Sequence, residues 1–324
     1  MSLAEVADGL RQQAGARAAR PAARIWLALG TVYILWGSTY LGIKYAIDTI
    51  PPLLMGSLRF LAAGGVLYLL TIRAGDTRGD RLGYRQWTAA LVIGGLMLVA
   101  GNGGVILAEQ YAPTGVVALM VATTPLWMAV IDRVIFGRRL PVLIIAGLLI
   151  GFAGVAFLIG SPVTTHLSLL GAALVLVAPL CWAFGSVFTR HVKLPSRPLL
   201  AASMEMLCAG AVFGVASIVT GELGRVHWQH ISTTSIVALA YLIVFGSLVG
   251  FSAFVFLLRA APLSLVSTYA YVNPVVAVIL GALFVGEAVT ARLVIAGGII
   301  IGAVALIVVA RNRAASEARV PVSA

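Results

Sequence analysis

Apolar stretches about as long as a bilayer core is thick follow one another along almost the whole chain, interrupted only by short segments that collect the charges. A helix of about 20 residues crosses roughly 30 Å of hydrocarbon. Lipid offers no partner for backbone N–H and C=O groups, so only helices and closed barrels span it. The stretches are continuous rather than alternating, which predicts helices. Ten spans are expected, near residues 25 to 46, 52 to 72, 87 to 108, 112 to 135, 141 to 159, 168 to 190, 199 to 221, 233 to 258, 264 to 285 and 290 to 310. Of the 324 residues, 61% are hydrophobic and 10% charged, and mean hydropathy is +1.05, far from soluble norms. The expected fold class is an all-α integral membrane protein whose first partner is the lipid bilayer.

A net charge of +11 would suit a nucleic-acid binder, but the basic residues lie in small groups between the spans. With residues 1 to 24 in the cytoplasm, eighteen of the 22 Lys and Arg residues fall on that side, among them Arg11, Arg73, Arg133, Arg190, Arg259 and Arg311. Only Lys44, Arg225 and Arg292 fall on the other, and Arg59 lies inside a span. This asymmetry orients multi-pass proteins. It places both termini in the cytoplasm of an inner or plasma membrane and removes nucleic acid from the expected partners. The tails, residues 1–24 and 311–324, read as loose or interfacial, and the first lacks the apolar core and cleavage site of a secretory signal. Cys181 and Cys208 lie inside spans and read as small packing residues.

An internal repeat decides the architecture. Leu58-Arg59-Phe60-Leu61-Ala62-Ala63-Gly64 aligns with Met204-Glu205-Met206-Leu207-Cys208-Ala209-Gly210 at an offset of 146, and Trp36 with Trp182 at the same offset. Ala112-Pro113 aligns with Ala261-Pro262, Pro125 with Pro274 and Gly137 with Gly286, all at 149. Residues 25–160 and 161–310 would then each hold five spans. Because five is odd, the second set enters the membrane from the opposite side, so the repeats are expected to be inverted around a central cavity.

Pro125 and Pro274 interrupt the fourth and ninth spans at matching positions. Proline leaves the carbonyl four residues back, here Val121 and Ala270, without its N–H partner. At membrane depth such a break persists where neighbouring helices, polar side chains or a water-filled cavity serve the freed group. Paired breaks point to a midplane site between the repeats and mark both prolines as candidate hinges of an alternating-access cycle.

Trp36-Gly37-Ser38-Thr39-Tyr40, Arg59-Phe60-Leu61-Ala62-Ala63-Gly64, Gly101-Asn102-Gly103-Gly104, Trp182-Ala183-Phe184-Gly185-Ser186, Glu205-Met206-Leu207 and Tyr269-Ala270-Tyr271-Val272-Asn273-Pro274 together resemble the EamA family of the drug/metabolite transporter superfamily, and its YedA-like branch in particular. The resemblance runs in order over residues 25 to 310. It implies ten helices in two inverted five-helix halves and export of small metabolites, amino acids or drug-like amphipathic solutes. Import of sugars or nucleotides is the alternative within transporters.

Trp36, Thr39 and Tyr40 share a face at i, i+3 and i+4, where lining a cavity competes with anchoring at the interface. Asn102 carries an amide that needs partners in hydrocarbon or a solute to bond. Trp182 is the repeat mate of Trp36, and Tyr269 and Asn273 share a face above Pro274. These seven residues are the expected substrate cavity. Thr123 and Thr124 read as local carbonyl partners, Lys44 as a snorkelling end residue, Glu109 as solvated, and Tyr241 and Ser247 as ordinary interhelical contacts. Gly297, Gly298 and Gly302 read as packing and as a surface for a homodimer.

Arg59 and its repeat mate Glu205 are the intramembrane charges, and such groups normally face the bundle interior and find a partner. Counting helical rise from the span ends puts their Cα levels roughly 10 Å apart, so direct pairing, a bridging water or separate partners all remain open. Catalysis has little to stand on. His166, His191, His227 and His230 lie in loops or at span ends, and no HExxH, Walker or nucleophile-elbow spacing occurs. A membrane-embedded enzyme is the distant alternative, and the reading calls for no catalytic residue, metal or cofactor.

Overall fold

The structure is a computed structural model that describes residues 3–73, 82–137, 140–159, 169–261, 266 and 268–317, and among these there is no strand. Among the described residues these α-helices follow in order: α1 Leu3–Ala46, α2 Pro52–Arg73, α3 Tyr84–Gly94, α4 Gly103–Ala108, α5 Thr114–Val121, α6 Thr124–Phe136, α7 Val142–Ile159, α8 Leu169–Phe188, α9 Pro198–Val219, α10 Thr233–Tyr241, α11 Gly250–Ala260, α12 Tyr269–Val285 and α13 Ala291–Glu317. Two wide π-helical stretches interrupt the series, Gly95–Asn102 between α3 and α4 and Leu242–Val249 between α10 and α11. Among the described residues, seven continuous helical segments are long and apolar enough to cross a membrane: Ala23–Ala46, Pro52–Arg73, Tyr84–Ala108, Thr114–Phe136, Pro198–Val219, Thr233–Leu257 and Ala291–Ala310. Three shorter apolar helices join them, Val142–Leu158, Ala173–Phe188 and Tyr269–Phe284.

Several boundaries depart from the sequence expectation. The N-terminal tail is helical from Leu3 and runs straight into the first span. An Ala-rich stretch has high helix propensity, and continuing an existing helix needs no new nucleus. The last helix likewise continues past the apolar stretch to Glu317. The ninth apolar helix is described from Tyr269, and the expected start near 264 lies outside the described residues. Residues 138–139, 160–168 and 262–265, including His166 and Pro262, lie outside the described residues.

Glycines set the closest helix approaches. A Cβ on Gly64 would lie 2.9 Å from the Leu207 backbone nitrogen, and one on Gly210 would lie 2.7 Å from that of Leu61. These four residues are two aligned pairs at the 146-residue offset, so α2 and α9 touch reciprocally, each glycine receiving the other helix's backbone. Phe60 and Phe213 stack beside this contact at 5.9 Å, and Phe213 also fills the space left by Gly56 and Gly103. Elsewhere the donors of space differ from expectation. Gly147, Gly151 and Gly154 of α7 admit Ile307, Leu126 and Ile299, whereas Gly298 and Gly302 of α13 meet nothing within 4 Å. Of the three glycines expected to pack in α13, only Gly297 does, against Leu119.

Candidate functional site

The fourth span breaks where its proline requires. α5 ends at Val121, Ala122 and Thr123 form a turn, and Pro125 is the second residue of α6, where a missing N–H costs nothing. The Val121 carbonyl freed by Pro125 accepts the Thr124 hydroxyl at 2.6 Å, and Thr123 serves the Met120 carbonyl in the same way. Pro274 sits six residues into α12. One residue before it, Asn273 is buried and donates its amide N–H groups to the carbonyls of Tyr269 and Tyr33, tying α12 to α1. The Tyr33 and Thr268 hydroxyls bond across the same seam. Tyr271 turns away, its hydroxyl donating to the Val304 carbonyl at 3.4 Å.

Around this seam lies an aromatic cluster. The Trp36 ring is 4.9 Å from Phe254, 5.7 Å from Phe251 and 5.4 Å, edge-on, from Tyr269. Its Nε1 donates to the Gly246 carbonyl at 3.2 Å inside the second π stretch, and it lies so close to Gly250 that a Cβ there would come within 2.6 Å of Nε1. Trp182 does the same in mirror fashion, with its ring 3.2 Å from where a Cβ on Gly101 would sit, inside the first π stretch. Gly101 and Gly250 stand 149 residues apart, the two tryptophans 146. Each tryptophan thus packs on the π stretch of the other half of the chain. Both stretches are eight residues long, and the second starts 147 residues after the first. π turns are rare and recur at functional sites.

Arg59 joins the two stretches. It is only 4% exposed; its Nε donates to Ser247 Oγ at 3.0 Å, and its Nη1 donates to Asn102 Oδ1 at 3.4 Å. Nη2 lies beside Gly246, 3.3 Å from where a Cβ would sit, and Thr39 Cγ2 is 3.0 Å from the same point. No ion pair joins Arg59 to Glu205, whose backbone instead packs on Gly94. Of the expected cavity residues, Trp36, Thr39, Asn102 and Tyr269 therefore gather around Gly246 and Arg59, with Trp182 packed on Gly101, next to Asn102. Tyr40 is buried in the main apolar cluster, and Asn273 holds the seam. Ser247, expected to make an ordinary contact, is a ligand of the buried Arg59 guanidinium. Its serine neighbourhood carried no sequence signal because the partner lies 188 residues away.

The family question closes on this geometry. The model of the EamA-like transporter family matches the chain twice, over residues 23–160 and 169–309. The chain belongs to the EamA-like transporter family. Among curated relatives, the uncharacterized inner membrane transporter YedA of Escherichia coli K12 is 39% identical over 283 residues, covering 86% of this chain and 89% of that protein. A probable amino-acid metabolite efflux pump of the same organism is 28% identical over 80% of this chain and 86% of its own length. One crystal structure, 21% identical, superposes with a TM-score of 0.60 over 89% of this chain and 99% of that one, which establishes the shared fold.

A second polar group in this EamA-family chain lies at the end of the bundle that gathers residues 44, 109 to 114 and 287. Glu109, expected to be solvated, has no exposed surface, and among the described residues neither carboxylate oxygen has a hydrogen-bond partner. Lys44 donates to the Glu109 backbone carbonyl at 2.8 Å. Glu287 accepts the Thr114 and Gly115 N–H groups at 2.7 and 3.3 Å, capping α5, and Glu222 caps α2 in the same way through Leu53 and Leu54. Glu109 follows the Tyr84–Ala108 span. Burial raises its carboxyl well above the usual carboxylate range, Lys44 pulls it back, and Glu287 pushes it up further.

A folded-state pKa raised above the unfolded value stabilises the fold at low pH, and that stability is lost as pH climbs through the raised value. The wild-type protein should therefore lose thermal stability as pH rises above the ordinary carboxylate range, while Glu109→Gln should flatten that slope and melt higher at the upper end. Melting in detergent at rising pH tests it, and parallel slopes for the two proteins would show that Glu109 is not the group responsible.

Proposed function

We propose that this chain is a secondary transporter of small amphipathic solutes that works by alternating access, with ten crossings arranged as two inverted five-helix halves and both termini in the cytoplasm. The observation that carries the reading is the reciprocal packing at the centre, where Trp36 and Trp182 each lean on the other half's π stretch. The crossed Gly64 and Gly210 contacts and the double family-model match support the inverted duplication, and the distribution of Lys and Arg supports the orientation. The solute site is the space bounded by Trp36, Thr39, Asn102, Trp182 and Tyr269. Export is the preferred direction, in keeping with the relative described as an efflux pump.

The test is flux in sealed proteoliposomes loaded with amino acids, amines or dyes, with and without a pH gradient. Movement that needs intact compartments supports a transporter. Chemical turnover by the detergent-solubilised protein overturns it. The prolines supply the expected bending points, because a helix lacking a backbone hydrogen bond bends more easily. Pro125→Ala combined with Pro274→Ala should slow flux about tenfold, the effect of about 1.4 kcal/mol on a barrier, while solute binding persists. Equal flux in the double variant would remove the hinge role from both.

A further inference from the structure

Arg59 raises a question of charge that the protein itself leaves unanswered. A guanidinium buried in a membrane protein normally has an anionic partner, because an uncompensated charge at low dielectric is costly. Among the described residues none is supplied. Arg59 bonds only a hydroxyl and an amide oxygen, lies 5.0 Å from the Phe60 ring centroid, and makes no ion pair with Glu205. Nη2 has no hydrogen-bond partner among these residues and lies against the backbone of Gly246, 3.3 Å from where a Cβ would sit. The same glycine's carbonyl orients Trp36 and with it the cluster of Phe251, Phe254 and Tyr269. A cation with a vacant donor edge therefore stands next to an aromatic surface, held by one polar atom from each π stretch.

We propose that Arg59 is the counter-ion for the solute, and that the transported class is small monocarboxylates with an apolar or aromatic body. The carboxylate accepts from the unpartnered Nη2, a charge-assisted bond stronger than those Arg59 makes to the neutral Ser247 and Asn102, and the body packs on the Trp36 cluster. Binding completes a charge pair between Ser247 of one half and Asn102 of the other, so the loaded state draws the two π stretches together. The proposal rests on the transporter reading for the site's location but makes its own claim about charge.

The experiment compares hydrocinnamate with its uncharged amide and the matching amine as thermal stabilisers of the purified protein, alongside cyclohexylacetate and octanoate. A ligand that binds only the folded state raises the melting temperature in proportion to its occupancy. The carboxylates are expected to bind at least about tenfold tighter than the amide, the ratio that about 1.4 kcal/mol produces. Arg59→Met should abolish the shift. Asn102→Asp places a carboxylate where the amide oxygen now sits, and should remove the response to carboxylates while preserving or raising the unliganded melting temperature; it serves if Arg59→Met does not fold. The proposal is overturned if no carboxylate stabilises at millimolar concentration, if amide or amine does so equally, if Asn102→Asp responds like wild type, or if chloride alone gives the same shift. Proteoliposome flux separates the two readings. Neutral or cationic solutes that move while carboxylates neither bind nor move sink only the charge assignment, whereas carboxylates that bind without moving sink only the transporter.

Discussion

Gly64→Ala combined with Gly210→Ala is expected to cost the protein about 2 to 6 kcal/mol, taking about 1 to 3 for each overpacked site. A large share of that cannot be relaxed away, because the atoms in the path are backbone. The Gly64 methyl would lie 2.9 Å from the Leu207 nitrogen and the Gly210 methyl 2.7 Å from the Leu61 nitrogen, so α2 and α9 must part along the contact that also stacks Phe60 on Phe213. Net stabilities of only about 5 to 15 kcal/mol make a loss of this size visible as poor folded yield. Gly65 supplies the control one residue away, since a Cβ there meets nothing within 4 Å. Gly65→Ala should be neutral or stabilising by up to about 1 kcal/mol, the helix-propensity gain of alanine over glycine. Size-exclusion yield and melting temperature of the two variants decide the matter. Equal behaviour would mean that the close approach of the two helices is not where the structure places it.

Gly250→Ala should reduce transport by about tenfold or more while the protein still folds, because a misplaced group at a binding centre costs rate well before it costs stability. Its methyl would come within 2.6 Å of Trp36 Nε1 and must push the indole off the Gly246 carbonyl, disturbing the aromatic cluster and the glycine beside Arg59 together. The corresponding change in the other half, Gly101→Ala, meets the Trp182 ring at 3.2 Å and should be the milder of the two. Flux per folded protein measures both. A larger loss from Gly101→Ala would reverse the assignment of the primary solute wall.

Much of the fold is legible in the residue order because hydrocarbon imposes a length and a composition on every crossing. The repeat was visible too, since Arg59-Phe60-Leu61 and Glu205-Met206-Leu207 keep register over 146 residues, and each of the aligned glycines receives the backbone of the other helix where α2 meets α9. Pro125 announced the break between α5 and α6, whereas α12 runs unbroken through Pro274, and the threonine beside Pro125 could be expected to serve the freed carbonyl because that bond is local. Long-range polar partners were another matter. Nothing near Ser247 in sequence marks it as a ligand of Arg59, and Glu109 looked solvated because a span end is usually wet. The π stretches left no trace either, since Gly95–Asn102 and Leu242–Val249 have the same composition as the helices around them.

By itself, the order of apolar and charged residues determined that the chain is a membrane-spanning helical protein of duplicated plan, because burying unpaired backbone in lipid is prohibitive and so few architectures survive. Which groups meet at its centre was decided only by tertiary packing. The contacts that bring Trp36 to Gly246, and Arg59 to Ser247 and Asn102, join residues far apart in sequence, and their energies depend on distances that no local pattern encodes.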